Sequence, residues 1–267
     1  MTPPRSRLLF ISVVGFFCAC QSHDEVSGHE RHLNPKEILK QQIKQYPDSL
    51  MLVQNLIEIY RHEGAYDSAI ALTNSEIARD SGNAYLWNMK ATLHFENEDT
   101  TNAIKSLEYA VNLYPLPEYL SALGTVYAEV KDPKALIIAN ELLKTNMMKY
   151  GKDAFFIKGL YFNFSGNRAK AINFFDSTLQ MDFTYMFAYR EKAIALYELG
   201  KYEAALITLN RAVTIQNNFD EGYYWMGKCY EKMNMKDEAI QSYQNALLYD
   251  KNFFEARTAW ERLTNQK

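Results

Sequence analysis

GKYEAALITLNRA, Gly200 to Ala212, reads as an amphipathic helix entered from a tight turn, and its skeleton returns along the chain. Thirty-four residues earlier stands GNRAKAINFFDST from Gly166, and thirty-four later stands NMKDEAIQSYQNA from Asn234. Each has alanine at the sixth place and a bulky residue at the tenth. A fixed period has to be read before any single element, because it marks a repeat architecture.

Aligned on their turns, the copies fall at Gly64, Glu98, Asp132, Gly166, Gly200 and Asn234, an interval of thirty-four throughout. The three earlier ones read GAYDSAIALTNSE, EDTTNAIKSLEYA and DPKALIIANELLK. Before each turn lies a second amphipathic stretch with apolar residues at helical spacing, such as Tyr223, Met226, Gly227 and Tyr230. Each unit is therefore helix, turn, helix. No stretch of useful length alternates with period two, so strands are not expected.

In the unit from Asp220, an early aromatic, a small residue at the eighth place and a bulky one at the eleventh are Tyr223, Gly227 and Tyr230; Ala239, Tyr243 and Ala246 follow at the twentieth, twenty-fourth and twenty-seventh. Trp87, Ala91, Ala103, Leu107, Ala110 and Pro115 repeat the pattern from Ala84. Phe155, Gly159, Phe162, Ala171 and Phe175 repeat it from Lys152, and Tyr189, Ala193, Leu196, Ala205, Leu209 and Ala212 from Met186. This constellation resembles the tetratricopeptide repeat. Small residues let two antiparallel backbones approach, and bulky ones fill the space beside them. The unit from Pro117 is out of step, with Ala135 arriving early, which implies a shortened turn; the unit from Leu50 has Ile57 where a small residue is usual.

The resemblance implies an all-α, right-handed superhelical solenoid of about six helix-turn-helix repeats with a capping helix at each end. The expected organisation is a signal peptide over residues 1–19, a tether over 20–33 and the solenoid over 34–265. Within the solenoid the expected parts are a capping helix at 34–46, repeats at about 50–83, 84–116, 117–151, 152–185, 186–219 and 220–253, and a C-terminal cap at 254–265. LNPKEI supplies the first helix start, with Asn34 as N-cap, Pro35 at the first helical position, Glu37 placed for a capping box and Leu33 paired with Ile38 as a staple.

MTPPRSRLLFISVVGFFCACQS opens with Arg5 and Arg7, then an apolar run of about a dozen residues, too short for a spanning helix of roughly 20. Phe17-Cys18-Ala19-Cys20 resembles the lipobox of bacterial lipoproteins, although the family most often has leucine where Phe17 stands. That resemblance implies lipidation of Cys20 and a membrane anchor in the bacterial envelope. Gln21 favours the outer membrane, and the pair Asp24-Glu25 resembles surface-export signals of lipoproteins in the Bacteroidetes. With Cys18 removed and Cys20 acylated, Cys229 is the one thiol left, so the mature chain has no internal disulfide; it sits on an apolar helix face, where a buried side chain is expected rather than a nucleophile.

A net charge of −3 and a pI near 6.0 lend no field for nonspecific nucleic-acid binding. Three of the five histidines, His23, His29 and His32, fall in the polar tether, and no cysteine pair spaced for zinc and no glycine-rich phosphate loop occurs, so no metal, cofactor or enzyme activity is expected. What remains is a surface. The family's groove places, carried onto this chain, hold Tyr85, Asn88, Phe95, Phe156, Asn163, Phe187, Arg190, Tyr197 and Tyr224, with Phe164 and the charged Glu58, Arg61, Glu198 and Lys228 beside them. The family's carboxylate clamp is absent, since the fifth places read Gln54, Asn88, Ser121, Phe156, Arg190 and Tyr224. Rigid aromatics on such a face suit a protein or peptide partner in the envelope, or alternatively a glycan or nutrient; stacking of the rings between repeats is the competing structural reading.

Overall fold

The structure is a computed structural model and describes residues 34–265. The expected signal peptide, Cys20, the expected tether with its three histidines, and the Leu33 half of the expected staple lie outside the described residues. Thirteen α-helices and no strand are found among the described residues. The chain divides into two compact units, one ending at Tyr119 and one beginning at Leu120.

The first unit holds α1 (Pro35–Gln45), α2 (Leu50–His62), α3 (Tyr66–Arg79), α4 (Ala84–Glu96) and α5 (Thr100–Leu113). From α1 to α5 each helix packs on the next. Asn34 caps α1, its side chain accepting from the Lys36 amide at 3.1 Å, with Pro35 in the first turn. The capping box does not form, because Glu37 accepts instead from Lys40 Nζ at 2.9 Å.

α6 (Pro117–Glu129) begins in the first unit and continues into the second. There follow α7 (Lys134–Phe164), α8 (Arg168–Met181), α9 (Met186–Glu198), α10 (Tyr202–Ile215), α11 (Asp220–Lys232), α12 (Lys236–Tyr249) and α13 (Phe254–Asn265). From α7 onward neighbours in sequence are neighbours in space, and α9 also touches α11, so first helices of successive pairs lie side by side.

Each helical pair turns through one residue in the left-handed region: Gly64 (φ 71°), Glu98 (59°), Lys131 (62°), Gly166 (87°), Gly200 (72°) and Asn234 (60°). In all six the amide after it closes a six-residue loop onto the last turn of the preceding helix: Ala65 to the Tyr60 carbonyl, Asp99 to His94, Asp132 to Tyr127, Asn167 to Phe162, Lys201 to Leu196 and Met235 to Tyr230, at 2.8–2.9 Å. The third turn falls one residue before the aligned Asp132, as the early arrival of Ala135 foreshadows. Asp132 is then spent as a cap, its Oδ1 accepting from the Lys134 amide at 2.9 Å. Glycine holds this conformation without strain, whereas a side chain there costs about 1–2 kcal/mol.

The core is made by exchange of volume between two places. Gly159 faces Phe175, where an added Cβ would sit 2.4 Å from the ring, and Gly227 faces Tyr243, at 2.6 Å. Where the eighth place carries alanine, at Ala91 and Ala193, the twenty-fourth is the smaller Leu107 or Leu209, and all four are buried. Ile57 completes the series: its twenty-fourth place is Thr73, both fully buried, with the Thr73 hydroxyl donating to the Ala69 carbonyl at 2.8 Å. The bulk missing from one helix is supplied by the other.

α7 is longer than the repeat pattern implies. It is two helices joined at Asn146, whose φ of −165° and ψ of 100° break the helical run, and Asn146 Oδ1 accepts from the Lys149 amide at 3.1 Å to cap the second part. The expected division at residues 151 and 152 therefore lies inside continuous helix. Gly151 is buried, with Met181 lying where its side chain would be, 3.1 Å from an added Cβ.

Candidate functional site

The first helix of each pair carries the sequence-derived groove residues. In the first unit, α2 and α4 bring together an ion network: Arg61 donates to both Glu96 carboxylate oxygens at 2.7 and 2.5 Å and to Glu58 at 3.0 Å. Hydrogen bonding to Glu96 holds the Arg61 guanidinium firmly protonated, against the opposing effect of its partial burial. Beside it Tyr85 presents its ring to solvent, 46% exposed, while Asn88 and Phe95 are half-buried. Burial, and then the nearby Glu58 charge, push the Tyr85 phenol upward, so it remains a neutral donor.

In the second unit the rings mostly cover one another. Phe156 is buried between Phe175, 5.9 Å away, and the edge of Tyr185, at 5.1 Å. Tyr185 in turn meets Phe187 at 6.0 Å. Tyr197 stands edge-on to Tyr202 and Trp225, at 5.4 and 5.6 Å. Tyr224 is buried against Trp225, Tyr243 and Phe253, the last at 5.0 Å. Phe187, Tyr197 and Asn163 keep part of their surface in water; Phe156 and Tyr224 do not.

Arg190 is 1% exposed. Its guanidinium lies 5.2 Å from the Phe187 ring centre, donates to Glu221 at 2.6 Å and, through Nε, to the equally buried Glu191 at 3.1 Å. All three fifth-place residues of α7, α9 and α11, namely Phe156, Arg190 and Tyr224, are thus parts of the interior.

Sequence reasoning missed what covers Phe156 and Tyr224, namely Tyr185 and Phe253. Tyr185, Phe219 and Phe253 each precede a first helix and recur at the thirty-four-residue interval. Phe219 is buried, and burial drives the Tyr185 phenol far above its ordinary value. The interval itself was the available signal.

Burial holds His94 below its ordinary value although Asp99 opposes it, with Nδ1 and Oδ2 3.3 Å apart. Burial pushes the Cys229 thiol up to about 12, which removes the thiolate a nucleophile requires. Among the described residues, no group of three or more His, Cys, Asp or Glu is placed to hold a metal, and no helix is long and apolar enough to cross a membrane.

Family models described as tetratricopeptide repeat match residues 84–115 and 220–253, and one described as TPR repeat matches residues 194–234. The chain carries tetratricopeptide repeats. A tetratricopeptide repeat protein from Parabacteroides merdae ATCC 43184 is similar over 86% of this chain and 91% of its own, at 19% identity with a TM-score of 0.70. A thermophilic TPR protein of Thermus thermophilus is similar over 68% of this chain and 99% of its own, at 15% identity with a TM-score of 0.59. These likenesses concern the fold. No curated protein matches the chain in sequence.

Proposed function

We propose that this chain is a noncatalytic tetratricopeptide scaffold, anchored to the bacterial envelope by a lipid on Cys20, that binds a protein or peptide partner. The observation that carries the binding reading is the face of α2 and α4. There an exposed Tyr85 stands beside Asn88 and the Glu58–Arg61–Glu96 network, combining a rigid aromatic anchor with oriented charge. Carbohydrate binding, the other reading, requires open ring faces, and the covering of Phe156 and Tyr224 leaves it fewer of them.

Random-peptide display on the full chain tests this. Enriched peptides are expected to bind about tenfold more weakly to Tyr85→Ala, with the thermal melt unchanged. Enrichment of none, together with calorimetric binding of oligosaccharides that Tyr85→Ala removes, would establish the glycan reading instead. For the anchor, Cys20→Ala is expected to move the protein from the membrane to the soluble fraction. Unchanged membrane fractionation of that variant would exclude lipidation as the tether.

A further inference from the structure

Where the twenty-sixth residue of the unit from Ala84 is Tyr109, that of the unit from Met186 is Arg211. In the former, Tyr109 stacks on the fourth-place ring, Trp87, at 4.5 Å, and the indole N–H donates to the Ser81 carbonyl at 3.0 Å. Phe155 and Tyr223, at the same fourth place, are likewise covered, by Phe174 and Tyr249. Tyr189 differs. Among the described residues it stacks on no ring, it is 1% exposed, and its hydroxyl has no hydrogen-bond partner. A buried phenol left without a partner costs about 1–3 kcal/mol, which makes this position an exception to be explained.

Tyr189 forms the floor of a cleft of about 620 Å³ between α8, α9 and α10. The volume lies within the range of roughly 300–1,000 Å³ typical of small-molecule sites. Two of its walls are apolar side chains left in water, Phe183 at 60% and Ile207 at 72% exposed. Its charges do not cancel. Lys192 is matched by Asp176 at 2.6 Å, while Arg211 is exposed and has no ion pair among the described residues. The Arg211 charge is close enough to Tyr189 to draw its phenol down against the upward effect of burial.

We infer that this cleft binds a small monocarboxylic acid with an apolar body. One unmatched guanidinium complements one negative charge, and its fork fits a carboxylate. A carboxylate drawn to Arg211 lays its apolar body against Phe183, Leu179 and Ile207. Doubly charged phosphate leaves those apolar walls uncovered and brings more charge than Arg211 balances. The inference is independent of the face on α2 and α4.

Calorimetric titration of the full chain with 4-phenylbutyrate and octanoate tests it, with 4-phenylbutyramide and inorganic phosphate as controls. At least one acid is expected to bind saturably with a dissociation constant on the order of 0.1 mM, the affinity ordinary for a ligand of this size. The amide and phosphate are expected not to saturate. Arg211→Gln, a change at the surface, should weaken the acid at least about tenfold, or about 1.4 kcal/mol. Tyr189→Phe should melt no lower than the parent, because it removes an unmet polar group without changing shape. Absence of saturable binding by both acids, equal binding of acid and amide, phosphate binding as tight as the acids, or unchanged affinity in Arg211→Gln would each overturn the inference.

Discussion

Replacing Gly159 by alanine is expected to destabilise the protein by about 2 kcal/mol, although alanine is the better helix former by about 1 kcal/mol. The sign is decided by space. The added Cβ would lie 2.4 Å and 2.6 Å from two carbons of the Phe175 ring, which is fully buried and wedged against Phe156 at 5.9 Å. Neither helix can yield without disturbing that packing. Phe175→Leu alone should also cost about 1–2 kcal/mol, by opening a cavity. In the double variant the two losses should largely cancel, because alanine against leucine is the pairing already present at Ala91 with Leu107 and at Ala193 with Leu209. Urea unfolding of the parent, both single variants and the double variant measures this directly. A coupling of about 3 kcal/mol is expected, and strictly additive losses would refute the exchange of volume.

That exchange shows how far the amino-acid sequence carries. The thirty-four-residue interval located five of the six left-handed turn residues, and the early Ala135 announced the displaced third one, because a left-handed residue and two helices of fixed length leave the chain little freedom. Ile57 seemed to break the small-residue rule only while it was considered alone; with Thr73 across from it the rule becomes one of summed volume. The boundary expected at residues 151 and 152 was not legible, because the break falls at Asn146 and Gly151 packs closely against Met181 within helix. The groove residues were the least legible. Helical spacing says which side of a helix a residue occupies, but the covering of Phe156 and Tyr224 depends on Tyr185 and Phe253, which approach from the segments between helices. At Tyr85 exposure survives.

Arg190 shows the same distinction between a groove place and an interior one, with a larger energy attached. Arg190→Met is expected to cost about 3–5 kcal/mol, since it leaves Glu191, 2% exposed, as a buried carboxylate without its cation. A ligand-contacting arginine in water would give a loss near zero in the same measurement. The loss should depend on pH, and the direction follows from Glu191. Burial already raises its carboxyl above the ordinary value, and the Arg190 charge opposes that rise. Removing Arg190 lets the folded-state value climb further while the unfolded value stays near about 4.3. Below the unfolded value Glu191 is protonated in both states and the missing cation matters least. As pH rises through the folded value, the folded state has to ionise a buried group, and stability is lost. The deficit of Arg190→Met relative to the parent should therefore be smallest near about pH 4 and largest at neutrality. Adding Glu191→Gln should remove most of that pH dependence and recover part of the stability, although Glu221 and the half-buried Asp220 still face the vacated position. Urea unfolding of the three proteins at acid and neutral pH decides the matter: a small, pH-independent loss in Arg190→Met would mean that this guanidinium does not hold the interior of the second unit together.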